Sequence, residues 1–424
     1  MITRIDTVVI GAGLAGLTTT AQLVQAGQKV LLVSGGFGAI LLASGCIDVL
    51  GFQPVEAKEP VTDPLGKLGA FIKEAPDHPY ALVKDNVEAG IESFKRVVNG
   101  SLTYQGDAHH NWLLPSTAGA VHPTCLAPTS LANGDLSKGG QMLIVGFRQL
   151  RDFYPALISQ NLNAQELGVE ADSLVIDLPA PLQGEVNITP IELAHAFEKI
   201  EFRRSLVRAI KDQAKGVERV GFPAVLGLEQ HAEVLADLEK QLGKTVFEIS
   251  TLPPSVPGRR LFESLRTAAL KAGGRIIIGS KAASGTIVDG QVTEIQIETS
   301  NRLRTIRARN YVLATGGIYG GGIQTDLEGN VWEPIFGLPV EADSNRHHWF
   351  SHKFLSEHGQ PVAQYGVKVD ENLNPINGSR QPLAKNLFIA GATIAGADWT
   401  RGRTGDGLAL ATAATIVKQI SERR

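Results

Sequence analysis

The chain has 424 residues, 43% of them hydrophobic and 20% charged, with a formal net charge of −3. That is enough apolar material for two cores, and the scattered Lys and Arg, with no dense basic stripe, exclude a nucleic-acid binder. The two cysteines, Cys46 and Cys125, lie far apart and form no C-x-x-C, so this chain builds no iron–sulfur cluster, zinc knuckle or disulfide framework, and a reducing compartment is expected.

A β-branched run, Thr7 to Ile10, passes into Gly11-Ala-Gly13-Leu-Ala-Gly16, and Leu14, Leu17, Ala21, Leu23 and Val24 then recur at helical spacing. Strand, tight turn and helix in that order predict a nucleotide-binding turn. Gly11 permits the turn, Gly13 lets a phosphate approach the backbone, and Gly16 lets the helix pack on the strand. Leu14 and Ala15 open the helix, where unpaired N–H groups and the positive end of its dipole favour an anion. Thr7 to Gln28 is uncharged and long enough to suggest a membrane span, but its period changes from strand to helix. Arg4 followed by Asp6 is a poor signal-peptide start, and the chain reads as soluble and cytoplasmic.

A second strand, Lys29 to Val33, follows. At its end a dinucleotide fingerprint carries an Asp or Glu for a ribose hydroxyl. Ser34 stands there instead, and no carboxylate occurs from Thr7 to Ile47. The adenosine half of a dinucleotide loses its usual anchor, which makes FMN an option beside FAD. Gly35 to Asp48, with Ser44 and Gly45, has the small residues of a backbone that either passes close to a planar ligand or connects core elements.

Gln53 to Pro79 reads as surface loops with a helix near Leu65 to Glu74, and Val87 to Asn99 as another helix. Residues 101 to 140, with His109, His110, Trp112 and His122, read as loop or irregular sheet. Gln141 to Phe147 then opens a new alternation. Strands are expected at Ser173–Leu178, Arg219–Pro223 and Thr245–Ser250, and helices at Asp152–Gln160, Pro190–Phe202 and Leu228–Gln241. Thr189 and Pro190 make a good helix start. The predicted fold is α/β: a Rossmann-like FAD/NAD(P)-binding domain with an inserted second α/β domain. Residues 1–100 and 257–424 form the flavin-binding domain, and 101–256 the inserted cap or partner-binding domain.

On return, Pro257 to Ala272 predicts a helix, Arg275 to Ile278 a strand, Lys281 to Ile297 a hairpin turning at Asp289-Gly290, and Thr305 to Asn310 a strand. Tyr311-Val-Leu-Ala-Thr-Gly-Gly317 is an apolar strand whose end, Thr315, Gly316 and Gly317, lets the chain pass close to a cofactor. A third piece runs from Asn386 to Gly391, through Gly396 and Arg401-Gly-Arg-Thr-Gly-Asp-Gly-Leu408, into an Ala-rich helix ending near Ile420. Gly405, Gly407 and Leu408 would aim that helix's N-terminus at a flavin ring, whose reduced form is negative near N1.

With these pieces the chain resembles the B-subunit family of the anaerobic glycerol-3-phosphate dehydrogenase over nearly its whole length. The specific carriers are Ser44-Gly-Cys-Ile-Asp-Val-Leu50, Leu252-Pro-Pro-Ser-Val256, Gly317-Ile-Tyr-Gly-Gly-Gly322, Glu333-Pro-Ile-Phe-Gly-Leu338 and Tyr365-Gly-Val-Lys-Val-Asp370. Cys46 and Arg403-Thr-Gly-Asp406 depart from the family's usual residues. The resemblance implies an FMN-associated polypeptide working with an FAD-bearing catalytic A-subunit and an iron–sulfur C-subunit, which holds the complex at the inner face of the membrane. It implies oxidation of glycerol 3-phosphate to dihydroxyacetone phosphate, with electrons passed toward quinone. A self-sufficient FAD-dependent oxidoreductase of the fumarate-reductase-like kind and a non-catalytic scaffold with a degenerate flavin site are the alternatives.

Oxidising an alcohol on a flavin needs a base for the hydroxyl proton, and a phosphorylated substrate needs cations. Candidates in this sequence are His348, Arg401 and Arg403. His348 and His352 are one helical turn apart, but no third ligand is evident, and no metal is expected.

Overall fold

A computed structural model describes residues 5–53, 59–300, 302–354, 356, 359–399 and 402–423. The chain opens with β1 (Ile5–Ile10), α1 (Leu14–Gln25) and β2 (Val30–Ser34). Helices α2 (Pro64–Glu74) and α3 (Val87–Val98) precede a short antiparallel pair, β3 (Trp112–Pro115) and β4 (Val121–Thr124). Strands and helices then alternate: β5 (Gly140–Phe147), α4 (Pro155–Asn163), β6 (Val169–Ile176), α5 (Pro190–Phe197), α6 (Ile200–Ile210), β7 (Arg219–Pro223), α7 (His231–Leu242) and β8 (Thr245–Ile249). The return runs through α8 (Val256–Lys271), β9 (Arg275–Ile278) and an antiparallel trio, β10 (Ala282–Val288), β11 (Gln291–Glu298) and β12 (Leu303–Ile306). It ends with β13 (Ala308–Leu313), β14 (Leu387–Ile389) and α9 (Gly405–Glu422).

Two parallel sheets result. The first has the order β9-β2-β1-β13-β14, and the second β8-β7-β5-β6. Helices cover parallel strands on both faces, so their sequences are continuously apolar: Val8, Val9 and Ile10 in β1 and Met142 to Val145 in β5 are all buried. In the first sheet β1 has β2 on one side and β13, some three hundred residues later, on the other. Strand order reverses there, and a crevice opens beyond the carboxyl ends of such a pair. Helix α9 packs against α1 and α3, closing the core beneath that edge.

The predicted helix over Pro190–Phe202 is two helices. Arg203 Nη1 donates to the carbonyls of Phe197 (2.9 Å) and Glu198 (3.1 Å), satisfying the end of α5 and permitting a break before α6. The start is as read: Thr189 and Glu192 form a reciprocal capping box with Pro190 at the first turn. The predicted strand Thr305–Asn310 also divides, β12 staying with the antiparallel trio while β13 enters the main sheet.

Apolar packing separates the chain at different points from its sheets. Leu102, Tyr104, Ala108, Cys125 and Leu126 join the first core, whereas Leu136 to Val256 build the second. Between the two, Arg260 of α8 makes a bidentate pair with Glu248 of β8 (2.7 and 2.9 Å), with both side chains buried.

Candidate functional site

The three glycine-bearing segments meet at the carboxyl edge of the first sheet. Gly11 N donates to Val33 O (2.9 Å), Ala314 N to Ile10 O (2.8 Å) and Ala390 N to Leu313 O (2.9 Å), so adjacent strands end at one level. Gly11 has φ +113°, and a Cβ there would collide with Ala314 O, so both geometry and space demand glycine. A Cβ on Gly16 would strike Gly11 O, which is the helix-to-strand packing its position predicts. Gly316 N donates to Thr393 Oγ1 (3.0 Å), whose hydroxyl returns a bond to Gly316 O (3.2 Å). Gly391 lies against Ala15, and its N–H donates to Thr412 Oγ1 (3.0 Å). Thr393 and Thr412 tie the segments together and have no motif signal; only the folded arrangement identifies them.

The edge is built to receive a ligand. A Cβ on Gly13 would have no atom within 4 Å, and Gly13, the N-cap of α1, makes no side-chain capping bond. The first N–H groups of α1, on Leu14, Ala15 and Gly16, are left without a capping side chain at the positive end of the helix, beside the space that Gly13 leaves clear, which suits a phosphate. Helix α9 likewise starts at Thr404 without a side-chain capping bond. Thr315 Oγ1 is buried without a hydrogen-bond partner among the described residues, an unmet polar atom at the same edge. An uncapped helix start at α1, an unmet hydroxyl and a cleared backbone fit a flavin nucleotide.

Other predicted positions shape the walls. Ser34 Oγ donates to Gly36 O (2.7 Å), closing its own turn rather than offering a free anchor. Ser44 Oγ accepts from Cys46 N (3.2 Å), and Gly45 makes room for Pro257. Gly405 makes room for Trp399, Gly407 for Tyr80 and Val49, and Leu408 is a core residue. Gly317 is opposed by Ala392 O.

Beside the start of α9 sits a polar cluster. Asp48 holds His122 Nε2 with both carboxylate oxygens (3.0 and 2.9 Å) and takes Arg403 Nη1 at 3.5 Å. Its backbone O accepts from Gly407 N (2.9 Å), and its N–H donates to the Asp406 carboxylate (3.3 Å). Strand β4 and the Leu126 that follows run along Ile47, bringing His122 alongside: Thr124 Oγ1 and the Leu126 N–H both donate to Ile47 O. Burial and the neighbouring Asp48 raise Asp406 to about 7. Burial also acts to raise Asp48, but the charge and hydrogen bond of His122, with Arg403, outweigh it and hold this carboxyl below its ordinary value. Behind the cluster Tyr80 OH donates to Val49 O (2.9 Å) and Thr404 O (3.0 Å), and His78, pushed down to about 3 by burial, meets Thr404 Oγ1.

Of the predicted catalytic candidates, Arg403 reaches this cluster. Arg401 lies outside the described residues. His348 is elsewhere: exposed, it pairs with Asp343 (2.8 Å) in a turn of the 340s and makes no contact with the cluster, so the structure does not join it to the site. The surface side chain has a carboxylate and an amide within its own turn, which accounts for its position locally. Sequence reading missed the Asp48–His122 pair because 74 residues separate the two. Among the described residues no group of three or more His, Cys, Asp and Glu is placed to hold a metal ion, and no helix is long and apolar enough to cross a membrane.

The motifs behind the family resemblance acquire physical reasons. Glu333 is buried and accepts from the N–H groups of Ile335 and Phe336 (both 2.8 Å), shaping the Glu333–Leu338 turn. Ser255 caps α8 by accepting from Gly258 N (3.0 Å). Asp370 Oδ1 accepts from the N–H groups of Asn372 and Asn374, closing the turn after Tyr365–Asp370.

The FAD binding domain family model matches residues 6–408. The probable anaerobic glycerol-3-phosphate dehydrogenase B-subunit of Halobacterium salinarum is 33% identical over 420 residues, covering 96% of this chain and 95% of the relative. The anaerobic glycerol-3-phosphate dehydrogenase B-subunit of Vibrio cholerae is 31% identical over 429 residues, covering 98% and 96%. Among solved structures, the 3-ketosteroid delta1-dehydrogenase of Sterolibacterium denitrificans aligns over 99% of both chains at 11% identity with a TM-score of 0.42, too remote to carry any functional weight. The edge geometry and these relatives together place the chain: it belongs to the FAD-binding flavoprotein family and, within it, to the B-subunit family of the anaerobic glycerol-3-phosphate dehydrogenases.

Proposed function

We propose that this chain is the flavin-carrying B-subunit of a glycerol-3-phosphate dehydrogenase complex, oxidising sn-glycerol 3-phosphate to dihydroxyacetone phosphate and passing electrons toward quinone. The observation that carries the reading is the meeting of three distant segments around the open N-terminus of α1, in a chain whose relatives bear that name along their whole length. We take its partners to be an FAD-bearing catalytic A-subunit and an iron–sulfur C-subunit, with attachment at the inner face of the membrane through them.

The flavin reading now favours FAD over the FMN expected from position 34. The matching family model is one for FAD. In this reading the N–H groups of Leu14, Ala15 and Gly16 hold the nucleotide phosphate, and those opening α9 face the ring. Thr315 supplies a hydroxyl, and Arg403 a cation for an anionic substrate. When bound, the flavin supplies a two-electron acceptor for a hydride.

Cofactor extraction from this chain, after separation from its FAD-bearing partner, tests this, with bleaching followed in the intact complex. FAD with glycerol-3-phosphate-dependent bleaching of the flavin is expected; FMN overturns the cofactor reading, and a flavin-free chain overturns the function. Gly13→Val sharpens the test. The site is open and φ is −76°, so folding should survive while flavin content falls at least 10-fold. Retention of flavin by a folded Gly13→Val protein would remove the phosphate from this turn.

A further inference from the structure

We propose that the aromatic, basic surface built by residues 318–354 is the docking face for the iron–sulfur C-subunit; this deepens the function just proposed and rests on it. Among the described residues seven Phe, Tyr and Trp side chains are exposed. Five of them, Tyr319, Trp332, Phe350, Phe354 and Trp399, lie on or against this segment, together with the exposed Leu327. One exposed apolar side chain needs no explanation, but aromatics gathered at one place have the composition of an interface core. The face is held in shape by a small core of its own: Trp349, Val362 and Tyr365, with Ile318, Val331 and Val340 packed on it. Trp349 Nε1 donates to Asp343 O (2.8 Å), and Val362 N to Trp349 O (3.0 Å). Gln360 fixes the next turn, its Oε1 accepting from Ser351 N (2.8 Å) and its Nε2 donating to the carbonyls of Lys353 (3.0 Å) and Phe354 (2.9 Å). Phe350 and Phe354 thus stand outside that core, 62% and 91% exposed, on a backbone secured by hydrogen bonds. Arg346 Nη1 donates to Leu327 O (2.8 Å) and joins the 326–330 turn to the same face. Burial against a partner recovers the free energy that so much aromatic surface forgoes in water.

Position and charge select the occupant. Gly317 leads directly into the turn Ile318–Gly320, and a Cβ on Gly322 would collide with Gly316 O and Thr315, so the face begins at the sheet edge that carries the flavin in the proposed function. Tyr319 packs edge-on against Trp399 from the loop before α9, with ring centroids 5.9 Å apart, and the aromatic surface therefore spans two of the three glycine-bearing segments. A redox partner has to bring its own centre to that edge, whereas a lipid surface gains nothing there. From Ser344 to Phe354 the chain carries Arg346, Lys353 and three histidines and no carboxylate. The carboxylates nearby are engaged, Asp343 by His348, Glu341 by Lys368 and Asp326 by Asn330, which leaves Glu328 on the 326–330 turn. A cluster held by cysteine thiolates is net negative, so the edge of an iron–sulfur polypeptide nearest its cluster is electronegative. A basic rim around exposed aromatics beside the flavin matches that edge and steers it into place.

The test uses the intact complex, with the photo-crosslinker benzoylphenylalanine in place of Phe354. Irradiation should give an adduct that peptide mapping assigns to the C-subunit. An adduct with the A-subunit alone or with a second copy of this chain overturns the proposal, as does no adduct at all. The double variant Phe350→Ser with Phe354→Ser should keep the flavin content and melting temperature of the unaltered chain, since both rings stand outside the core, but should bind the purified C-subunit about 10-fold more weakly by calorimetry. Lys353→Glu should slow that association about 3-fold or more at low salt, with the difference shrinking as ionic strength rises. Unchanged affinity in the folded double variant overturns the proposal, and so does a loss confined to binding of phosphatidylglycerol vesicles. If the double variant does not fold, Phe354→Ser and Lys353→Glu carry the same readings. Should the separated chain hold no flavin, the proposed function falls while cross-linking still decides the docking face: an adduct with the C-subunit supports it, and any other result overturns it.

Discussion

Two buried carboxylate clusters in this molecule have opposite constructions. Glu248 accepts from Arg260 Nη1 and Nη2, Ser130 Oγ (2.7 Å) and Leu226 N (2.8 Å), and Arg260 Nε is taken by Gly227 O (2.8 Å). Burial acts to raise it, but Arg260 more than offsets that and holds it at about 2. Asp48 and Asp406 crowd two carboxyl groups against a histidine and a half-exposed arginine, and one of them is driven to about 7. A saturated cluster fastens two cores together. A cluster with two like charges and an unused ring nitrogen has capacity left for a ligand or a proton, which is the pattern of functional sites.

Arg260→Leu should break the comparison most severely, leaving Glu248 buried without its cation at a cost of about 3–5 kcal/mol, read from chemical denaturation. The double variant with Glu248→Leu should recover much of that loss. Recovery absent would mean the pair does more than satisfy itself. The pH responses of the two clusters should differ in sign. Glu248 has a lowered folded pKa, so its contribution is present above the ordinary carboxyl range near 4.5 and disappears as pH falls through about 2. Asp406 has a raised one, so its contribution is complete below about 3.8 and is lost as pH rises through about 7. In flavin-free protein Asp406→Asn should therefore gain on the unaltered chain between those values, by at most about 1.4 kcal/mol per pH unit. Parallel melting curves across that range would refute a proton held at Asp406.

Smaller effects sharpen the boundary between packing and binding. Ser255→Ala removes the α8 cap and should cost about 1 kcal/mol without changing flavin content. Ser34→Ala should leave flavin occupancy within about 2-fold of the unaltered protein, since losing one hydrogen bond of its own turn costs about 0.5–1.5 kcal/mol of stability. A large loss of flavin instead would make Ser34 the ribose anchor.

The legible parts were those with local causes. The N-terminal fingerprint, the Thr189 cap and the Asp289-Gly290 hairpin appear where periodicity and turn chemistry put them, with Asp289 and Gly290 both at positive φ. The break in Pro190–Phe202 was not legible, because the guanidinium that satisfies the end of α5 comes from the next helix. His348 was an attractive candidate because histidines clustered in sequence, yet its partners are all within its own turn.

By itself the sequence determined that a strand, a glycine turn and a helix would open the chain, that a second α/β unit would be inserted in the first, and that three segments could bear a flavin. Short-range sterics and hydrophobic period suffice for that. The tertiary structure alone decided that those segments share one edge, that Ser34 turns inward on Gly36, and that Asp48 grips His122 across 74 residues. Charge pairing in a crevice depends on which surfaces burial brings together, and residue spacing along a chain carries no record of that.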